Sequence, residues 1–191
     1  MHPRRSFLPA AILAITGSFS LADAQQRPGD LGLELLRNPA VREAVEFART
    51  DEMRTIEDQI RVCEVEAPPF QEAKRAELYA AMFREVGLKN VRIDAEGNVI
   101  GERPGASARP NLVMSAHLDT VFPRGTDVRV RRQGYVLRGA GIGDDCRGLA
   151  DLVAVARALN RTGVATPGTI TFVGTVGEEG LGDLRGVKRL F

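Results

Sequence analysis

The stretch NLVMSAHLDTVFP, residues 111–123, joins a short apolar run to a histidine and an aspartate that stand two residues apart. The apolar part has the length and composition of a strand that is buried on both faces of a sheet. His117 is one of only two histidines in the chain, and the other is His2. A histidine in this place is either a hydrogen-bonded core residue or a metal ligand. Its neighbours in the fold decide between these two interpretations.

The rest of the chain alternates helical patterns with strand patterns. Apolar periodicity predicts three helices, over 39–62, 70–86 and 147–161. The first breaks near Thr50 and Asp51, and the second has Phe70 on its apolar face. The β-branched segment 169–176 predicts a strand, and segment 126–139 predicts a hairpin. We therefore expect an α/β fold with a central, mostly parallel sheet flanked by helices, and a small autonomous α/β binding domain is the alternative.

Composition narrows the functional classes. The chain has 191 residues, 43% of them hydrophobic and 27% charged, which is typical of one globular domain. Its net charge of +1 excludes the strongly basic balance of a nucleic-acid-binding protein. The two cysteines, Cys63 and Cys146, allow either one disulfide or two separate buried thiols.

The first residues have the pattern of a secretory signal peptide. A basic start, MHPRR, precedes an apolar run and the cleavage signal ADA, which ends at Ala24. We expect residues 1–24 to be removed near Ala24 and residues 25–38 to form a flexible mature N-terminus. An N-terminal membrane anchor is the alternative, although the run is short for a span. The expected location is outside the cell, or the periplasm of a Gram-negative host.

Three loops carry side chains that bind metals, and each stands at the end of a predicted strand or just before a helix. They hold His117 and Asp119, Asp144 and Asp145, and Glu178 and Glu179. Ligands of open α/β sheets bind outside the carboxyl ends of the strands, where such loops meet. Histidine and carboxylates together suit Zn²⁺ or a similar ion. The alternatives are a helix N-cap for the aspartate pair and a solvated loop for the glutamate pair.

Three segments resemble, in order and spacing, the successive motifs of the M20 metallopeptidases: SAHLDTVFP, GAGIGDDCRGLA and GTVGEEGLGDLRGVKRLF. VCEVEAPPF is similar to a segment near the N-terminus of that family, which includes the glutamate carboxypeptidases, peptidase T and acetylornithine deacetylase. The resemblance covers roughly residues 40–191. It implies a zinc-exopeptidase-like catalytic domain, of which residues 39–191 are the N-terminal part.

The resemblance also implies roles for five residues. His117, Asp144 and Glu179 would bind metal, with Asp144 bridging two ions, and Asp119 would hold the imidazole of His117 in place. Glu178 would be the general base that takes a proton from water. The implied cofactor is two Zn²⁺ ions, with Co²⁺ or Mn²⁺ as alternatives. The implied reaction is hydrolysis of an amide bond in a peptide or an N-acylated amino acid.

Two departures from the family pattern shape this expectation. The family often has Lys where this chain has Cys146 and Arg147, and family members are considerably longer. The resemblance implies a further acidic ligand, a dimerisation domain that would carry any homodimer, and a last histidine ligand. No histidine follows His117. We therefore expect an incomplete site in a fragment or a truncated product. An inactive secreted metal-binding or interaction domain is the alternative, and neither a nucleic-acid partner nor a stable membrane anchor is expected.

Overall fold

The structure is a computed structural model that describes residues 28–191. The expected signal peptide, residues 1–24 with cleavage near Ala24, lies outside the described residues. The helices are α1 Pro28–Leu35, α2 Pro39–Thr50, α3 Glu52–Cys63, α4 Ala73–Glu85, α5 Cys146–Thr162 and α6 Arg185–Leu190. The strands are β1 Lys89–Ile93, β2 Val99–Arg103, β3 Leu112–His117, β4 Arg131–Gln133, β5 Val136–Arg138 and β6 Ile170–Thr175, and a 3₁₀ turn spans Gly180–Gly182. Within residues 28–191, no helix combines the length and apolar character needed to cross a membrane.

The central sheet has four strands in the order β1-β2-β6-β3. β3 pairs parallel with β6, whereas β2 pairs antiparallel with both β1 and β6. β4 and β5 form the predicted hairpin as a separate two-stranded sheet. The α/β class with a central sheet flanked by helices is confirmed, and the sheet is mixed. The parallel pair consists of the two strands that lead into the predicted metal-binding loops.

The helical predictions hold with small changes at the ends. The Asn38 side chain accepts hydrogen bonds from the N–H groups of Ala40 and Val41, so it caps α2. The predicted break falls at Asp51, between α2 and α3. A helix that the sequence did not predict, α1, lies in the segment expected to be flexible. The side chains of α1 from Leu31 onward are exposed to solvent.

One predicted core residue is on the surface. The helix expected to begin near Phe70 begins at Ala73, and Phe70 is 61% exposed with a φ of 65°. The preceding Pro68–Pro69 pair disfavours a helix at this point, because proline restricts the residue before it and lacks an N–H. The Phe70 ring instead packs under the guanidinium of Arg185, whose Cζ lies 4.7 Å from the ring centroid.

The main core lies between the sheet and helices α3, α4 and α5. The Phe83 ring centroid is 4.5 Å from that of Tyr79 and 6.5 Å from that of Phe172 in β6. The buried Tyr79 hydroxyl donates to the carbonyl of Leu149 in α5. The helices that pack on the sheet are thereby joined to each other by both apolar and polar contacts.

The prediction that β3 is buried on both faces is wrong for its first half. Leu112 is 56% exposed and Val113 is 37% exposed, whereas Ala116 and His117 are buried. The physical reason is that β3 lies at one edge of the sheet and, among the described residues, pairs only with β6. The strand is buried where it reaches the predicted site.

Candidate metal centre

Parallel pairing brings two of the three predicted loops to one edge of the sheet. His117, the last residue of β3, pairs with Thr175, the last residue of β6. The loops that follow these strands are therefore neighbours, although about 60 residues separate them in sequence. This is the crevice outside the strand ends where α/β proteins bind ligands.

Asp119 is fully buried and links these two loops. Its Oδ1 accepts a 3.0 Å hydrogen bond from the backbone N–H of Glu178, and its Oδ2 accepts a 2.8 Å bond from that of Glu179. His117 Nδ1 lies 3.0 Å from the Asp119 backbone carbonyl and 3.7 Å from its carboxylate. The imidazole is thus oriented mainly by the carbonyl. The carboxylate holds the backbone of the glutamate pair, a role that was not part of the expectation.

The two adjacent aspartates have different surroundings, which reconciles the two interpretations of this pair. Asp145 caps α5 by accepting from the Gly148 N–H at 3.0 Å, and its other oxygen accepts from the His117 backbone N–H at 3.0 Å. The Asp144 side chain is 78% exposed, and the peptide bond between the two aspartates is cis. Asp145 is therefore the N-cap, and Asp144 is the carboxylate that is free to face a ligand.

The three predicted metal ligands come together. One ligand atom from each of His117, Asp144 and Glu179 lies within 4.8 Å of the other two, and His117 Nε2 is 2.9 Å from Asp144 Oδ1. Tetrahedral zinc, with ligand distances of about 2.0–2.2 Å, places its ligand atoms about 3.3 Å apart. The donor types therefore suit one divalent cation, and the three side chains are near enough to one another to hold it together. That these residues ligate a metal, and that Asp119 and Glu178 serve the reaction, stay predictions.

The charges around the imidazole favour a cation. Burial alone would lower the pKa of His117, but hydrogen bonds to Asp119 and Asp144 and the charge of Asp145 raise this pKa to about 9. Burial, followed by the neighbouring Asp144, raises the pKa of Glu179, and burial raises the pKa of Asp145. Without a metal, the site holds a protonated imidazole among crowded carboxylates. A divalent cation at this place would relieve the repulsion among them.

The sequence analysis did not identify Arg75, which holds the histidine loop through a hydrogen bond to the Leu118 carbonyl. Its guanidinium is only 1% exposed and donates to the carbonyls of Leu118 at 2.7 Å, Val65 at 2.8 Å and Cys63 at 3.3 Å. Leu118 is the residue between the two predicted site residues of that loop. The signal in the sequence was the position of Arg75 four residues before Tyr79, on the buried face of α4.

A second missed contact lies behind the glutamate loop. Arg185 Nη2 donates to both carboxylate oxygens of the buried Glu72 at 2.9 Å, and Arg185 Nε is 3.0 Å from Glu96 Oε1. The same guanidinium packs so closely on Gly177 that a Cβ there would overlap Nη1. Gly177 directly precedes Glu178, so this ion pair restricts the start of the glutamate loop.

The two cysteines are free, buried thiols that are neighbours in the core. The two thiols influence each other's pKa, and the Cys63 thiol donates to the carbonyl of Ala140 at 3.3 Å. Of the two alternatives left open by the sequence, the structure contains the unbridged one.

Comparison with known proteins agrees with this geometry. Residues 113–191, which contain all three loops, match the family model described as peptidase family M20/M25/M40. In this segment the chain is similar to the M20 peptidases. The resemblance drawn from the motifs is thereby confirmed, and each of the predicted site residues lies inside the M20 match.

Solved structures share the fold. Aminopeptidase PepT from Bacillus cereus is 24% identical with a TM-score of 0.57 over 66% of this chain and 36% of its own. Human carnosine dipeptidase 1 is 12% identical with a TM-score of 0.62 over 78% of this chain and 36% of its own. A dinuclear metal-binding M20 peptidase from Bacillus subtilis is 18% identical with a TM-score of 0.50 over 68% and 36%. The chain thus spans about a third of the length of each of these structures. No curated protein matches its sequence.

Proposed function

We propose that the protein containing this chain hydrolyses an amide bond in a peptide or an N-acylated amino acid with the help of bound metal. The observation that carries the proposal is the convergence of His117, Asp144 and Glu179 from three separate loops. These residues lie in the segment that matches the M20 family. Support also comes from the relatives, which are described as an aminopeptidase, a carnosine dipeptidase and a dinuclear metal-binding peptidase.

The proposed cofactor is two Zn²⁺ ions, with Co²⁺ or Mn²⁺ as alternatives. His117, Asp144 and Glu179 would hold metal, and the resemblance to the M20 family implies that Asp144 would be shared by the two ions. When bound, the divalent cations supply Lewis-acid activation of water and of the substrate carbonyl at neutral pH. The remaining catalytic work in this proposal belongs to side chains of the chain itself.

Glu178 is the proposed general base. Its backbone N–H is held by Asp119, while its side chain faces solvent at the edge where the three loops meet. A carboxylate held this way takes a proton from the attacking water and passes it to the leaving amine nitrogen. Asp119 positions both glutamates and, through its backbone carbonyl, the imidazole of His117.

The proposed setting of this activity follows from the sequence. We propose export of the protein, with residues 1–24 removed and residues 39–191 forming the N-terminal part of the catalytic domain. The partner is a peptide or N-acyl amino acid substrate, without nucleic acid or a stable membrane anchor, and a homodimer would form through a further domain. N-terminal sequencing of the exported protein should begin near Gln25, and a retained Met1 on a cytosolic product would contradict export.

A matched pair of neighbouring substitutions tests the proposed function. In calorimetric titrations with Zn²⁺, Glu179→Gln should weaken binding at least about tenfold, because it removes a charged ligand. Glu178→Gln should leave zinc affinity near the wild-type value. In the protein that contains the chain, it should reduce hydrolysis of dipeptides and N-acyl amino acids by about 10²–10⁴-fold.

Equal effects of the two substitutions on zinc binding would overturn the division of roles between Glu178 and Glu179. Zinc binding without hydrolysis of any of these substrates would favour an inactive metal-binding or interaction domain. Neither zinc binding nor hydrolysis would overturn the proposed function as a whole.

A further inference from the structure

The glycine-rich loop that carries Asp144 is attached to helix α3 by two side chains that the proposed chemistry does not use. The side-chain amide of Gln59 donates a 2.7 Å hydrogen bond to the carbonyl of Ile142. One helical turn further along, the Cys63 thiol donates to the carbonyl of Ala140 at 3.3 Å. Both bonds reach the loop within four residues of the proposed bridging ligand.

The loop has little internal support before Asp144. Its turn bonds, Ile142 N–H to Gly139 carbonyl and Cys146 N–H to Gly141 carbonyl, are long at 3.4 and 3.3 Å. The bond from Gln59, at 2.7 Å, is shorter than either. The part of the loop before Asp144 is therefore held in place partly by α3, from 83 residues away in sequence.

The contact with Ile142, and not exposure to solvent, explains why a polar residue stands at position 59. Gln59 is only 6% exposed, and a buried amide without a hydrogen-bond partner would cost about 1–3 kcal/mol. An apolar side chain of similar length would fill the same volume without that cost. The residue that makes the amide favourable here is Ile142, two positions before Asp144.

We propose that Gln59, assisted by Cys63, is a positioning residue that holds the metal-bridging carboxylate of Asp144 in place for cation binding. The inference rests on the proposed function, since it takes Asp144 to be a metal ligand. Residues that orient metal ligands through hydrogen bonds change metal affinity by about 10–100-fold when they are substituted. The expected effect of losing the Gln59 amide is therefore on affinity for the cation, beyond any effect on folding.

The test compares zinc affinity and stability in two buried polar positions of the same helix. Gln59→Met keeps the length of the side chain and removes the donor. Asp58→Asn weakens the ion pair of Asp58 with Arg157, 2.8 Å away, which does not touch the loop. Zinc affinity is measured by calorimetry, the coordination geometry by the visible spectrum of the Co²⁺ form, and stability by urea unfolding, all on the full chain.

We expect Gln59→Met to weaken zinc binding by about 10–100-fold and to shift the Co²⁺ spectrum. Asp58→Asn should lower stability while leaving zinc affinity within about threefold and the Co²⁺ spectrum unchanged, since it does not act on the loop. Wild-type zinc binding that depends on Glu179 but is unchanged in Gln59→Met would overturn the positioning role and leave the proposed metal site standing. Absence of zinc binding in the wild type would instead overturn the proposed metal site and this inference with it.

A second pair of variants decides the matter if Gln59→Met does not fold. Cys63→Ser keeps a donor for the Ala140 carbonyl, whereas Cys63→Ala removes it. Weaker zinc binding in Cys63→Ala than in Cys63→Ser, by several-fold, supports the inference. Equal zinc affinity in the two variants overturns it.

Discussion

The carboxylate of Asp119 accepts a 2.8 Å hydrogen bond from the backbone N–H of Glu179. A second bond from the same carboxylate to the Glu178 N–H fixes the glutamate loop to the end of β3. Burial acts to raise the pKa of Asp119, but hydrogen bonds from His117 and from the backbones of Glu179 and Glu178 together keep this pKa below its usual value. The histidine loop and the glutamate loop are therefore joined by direct hydrogen bonds.

Asp119→Asn should destabilise the fold and the metal site together. The amide has one acceptor oxygen, so one of the two backbone N–H groups of the glutamate loop would face an NH₂ group. We expect a loss of about 1–3 kcal/mol in the free energy of unfolding and a roughly tenfold weaker zinc affinity. Asp127→Asn is the matched control, since its carboxylate is partly exposed and pairs with surface arginines. It should cost much less stability than Asp119→Asn, and an equal cost in both variants would contradict the role given to Asp119.

The titration of His117 should make the stability of the metal-free protein depend on pH. Its pKa in the folded, metal-free protein is about 9, above the value of about 6.5 in an unfolded chain. The stabilisation from the protonated imidazole is therefore fully present below about pH 6.5 and is lost as the pH rises through about 9. Urea unfolding of the metal-free protein across this range should show falling stability in the wild type and a flatter profile in His117→Gln. Parallel profiles would refute the assignment of this titration to His117.

Zinc binding at pH 7 should release a proton from the same residue. The imidazole binds metal only when neutral, and at pH 7 it is protonated because its pKa is about 9. Calorimetry in two buffers with different ionisation enthalpies should report about one proton released per ion bound at His117. Zinc affinity should also rise as the pH increases toward 9. A binding enthalpy that does not depend on the buffer would show that the imidazole is already neutral.

The ion pair between Arg157 and Asp58 should contribute strongly to the stability of the contact between α5 and α3. Asp58 is buried, and Arg157 binds it at 2.8 Å and Asp51 at 2.6 Å. Arg157→Met would leave the buried Asp58 with only the more distant Arg54, whose Nε is 3.5 Å from the carboxylate, and we expect a loss of about 2–3 kcal/mol in the free energy of unfolding. The control is Arg49→Met, because the pair of Arg49 with Glu46 is exposed on both sides and should contribute little to stability. Similar losses in the two variants would mean that burial does not determine how much these ion pairs stabilise the fold.

Gly174 in β6 should not tolerate a side chain. A Cβ at this position would lie 2.7 Å from Cδ1 of the buried Tyr79. We expect Gly174→Ala to cost about 1–3 kcal/mol through overpacking, measured by thermal or urea unfolding. Gly32→Ala, with no atom within 4 Å of its added Cβ, should be neutral or slightly stabilising in α1. A neutral Gly174→Ala would show that the Tyr79 ring moves without cost.

The local rules of the chain account for much of the fold. The helical periods predicted α2, α3 and α5 almost to the residue, because apolar spacing and caps such as Asn38 act within a few positions. The three short motifs likewise indicated which side chains would meet, since strand ends in an α/β sheet share one edge. Pairing of β3 with β6 realises that expectation.

Contacts between distant segments could not be predicted from the sequence. Nothing local shows that Gln59 reaches Ile142 or that Arg75 reaches Leu118, because those partners are 83 and 43 residues away. The exposed first half of β3 likewise depends on which strands lie beside it. The sequence by itself determined the elements and the ligand types, since these depend on short-range spacing and donor chemistry. The tertiary structure alone decided which carbonyls, carboxylates and cations hold the loops, because burial and long-range geometry arise only when the chain is packed.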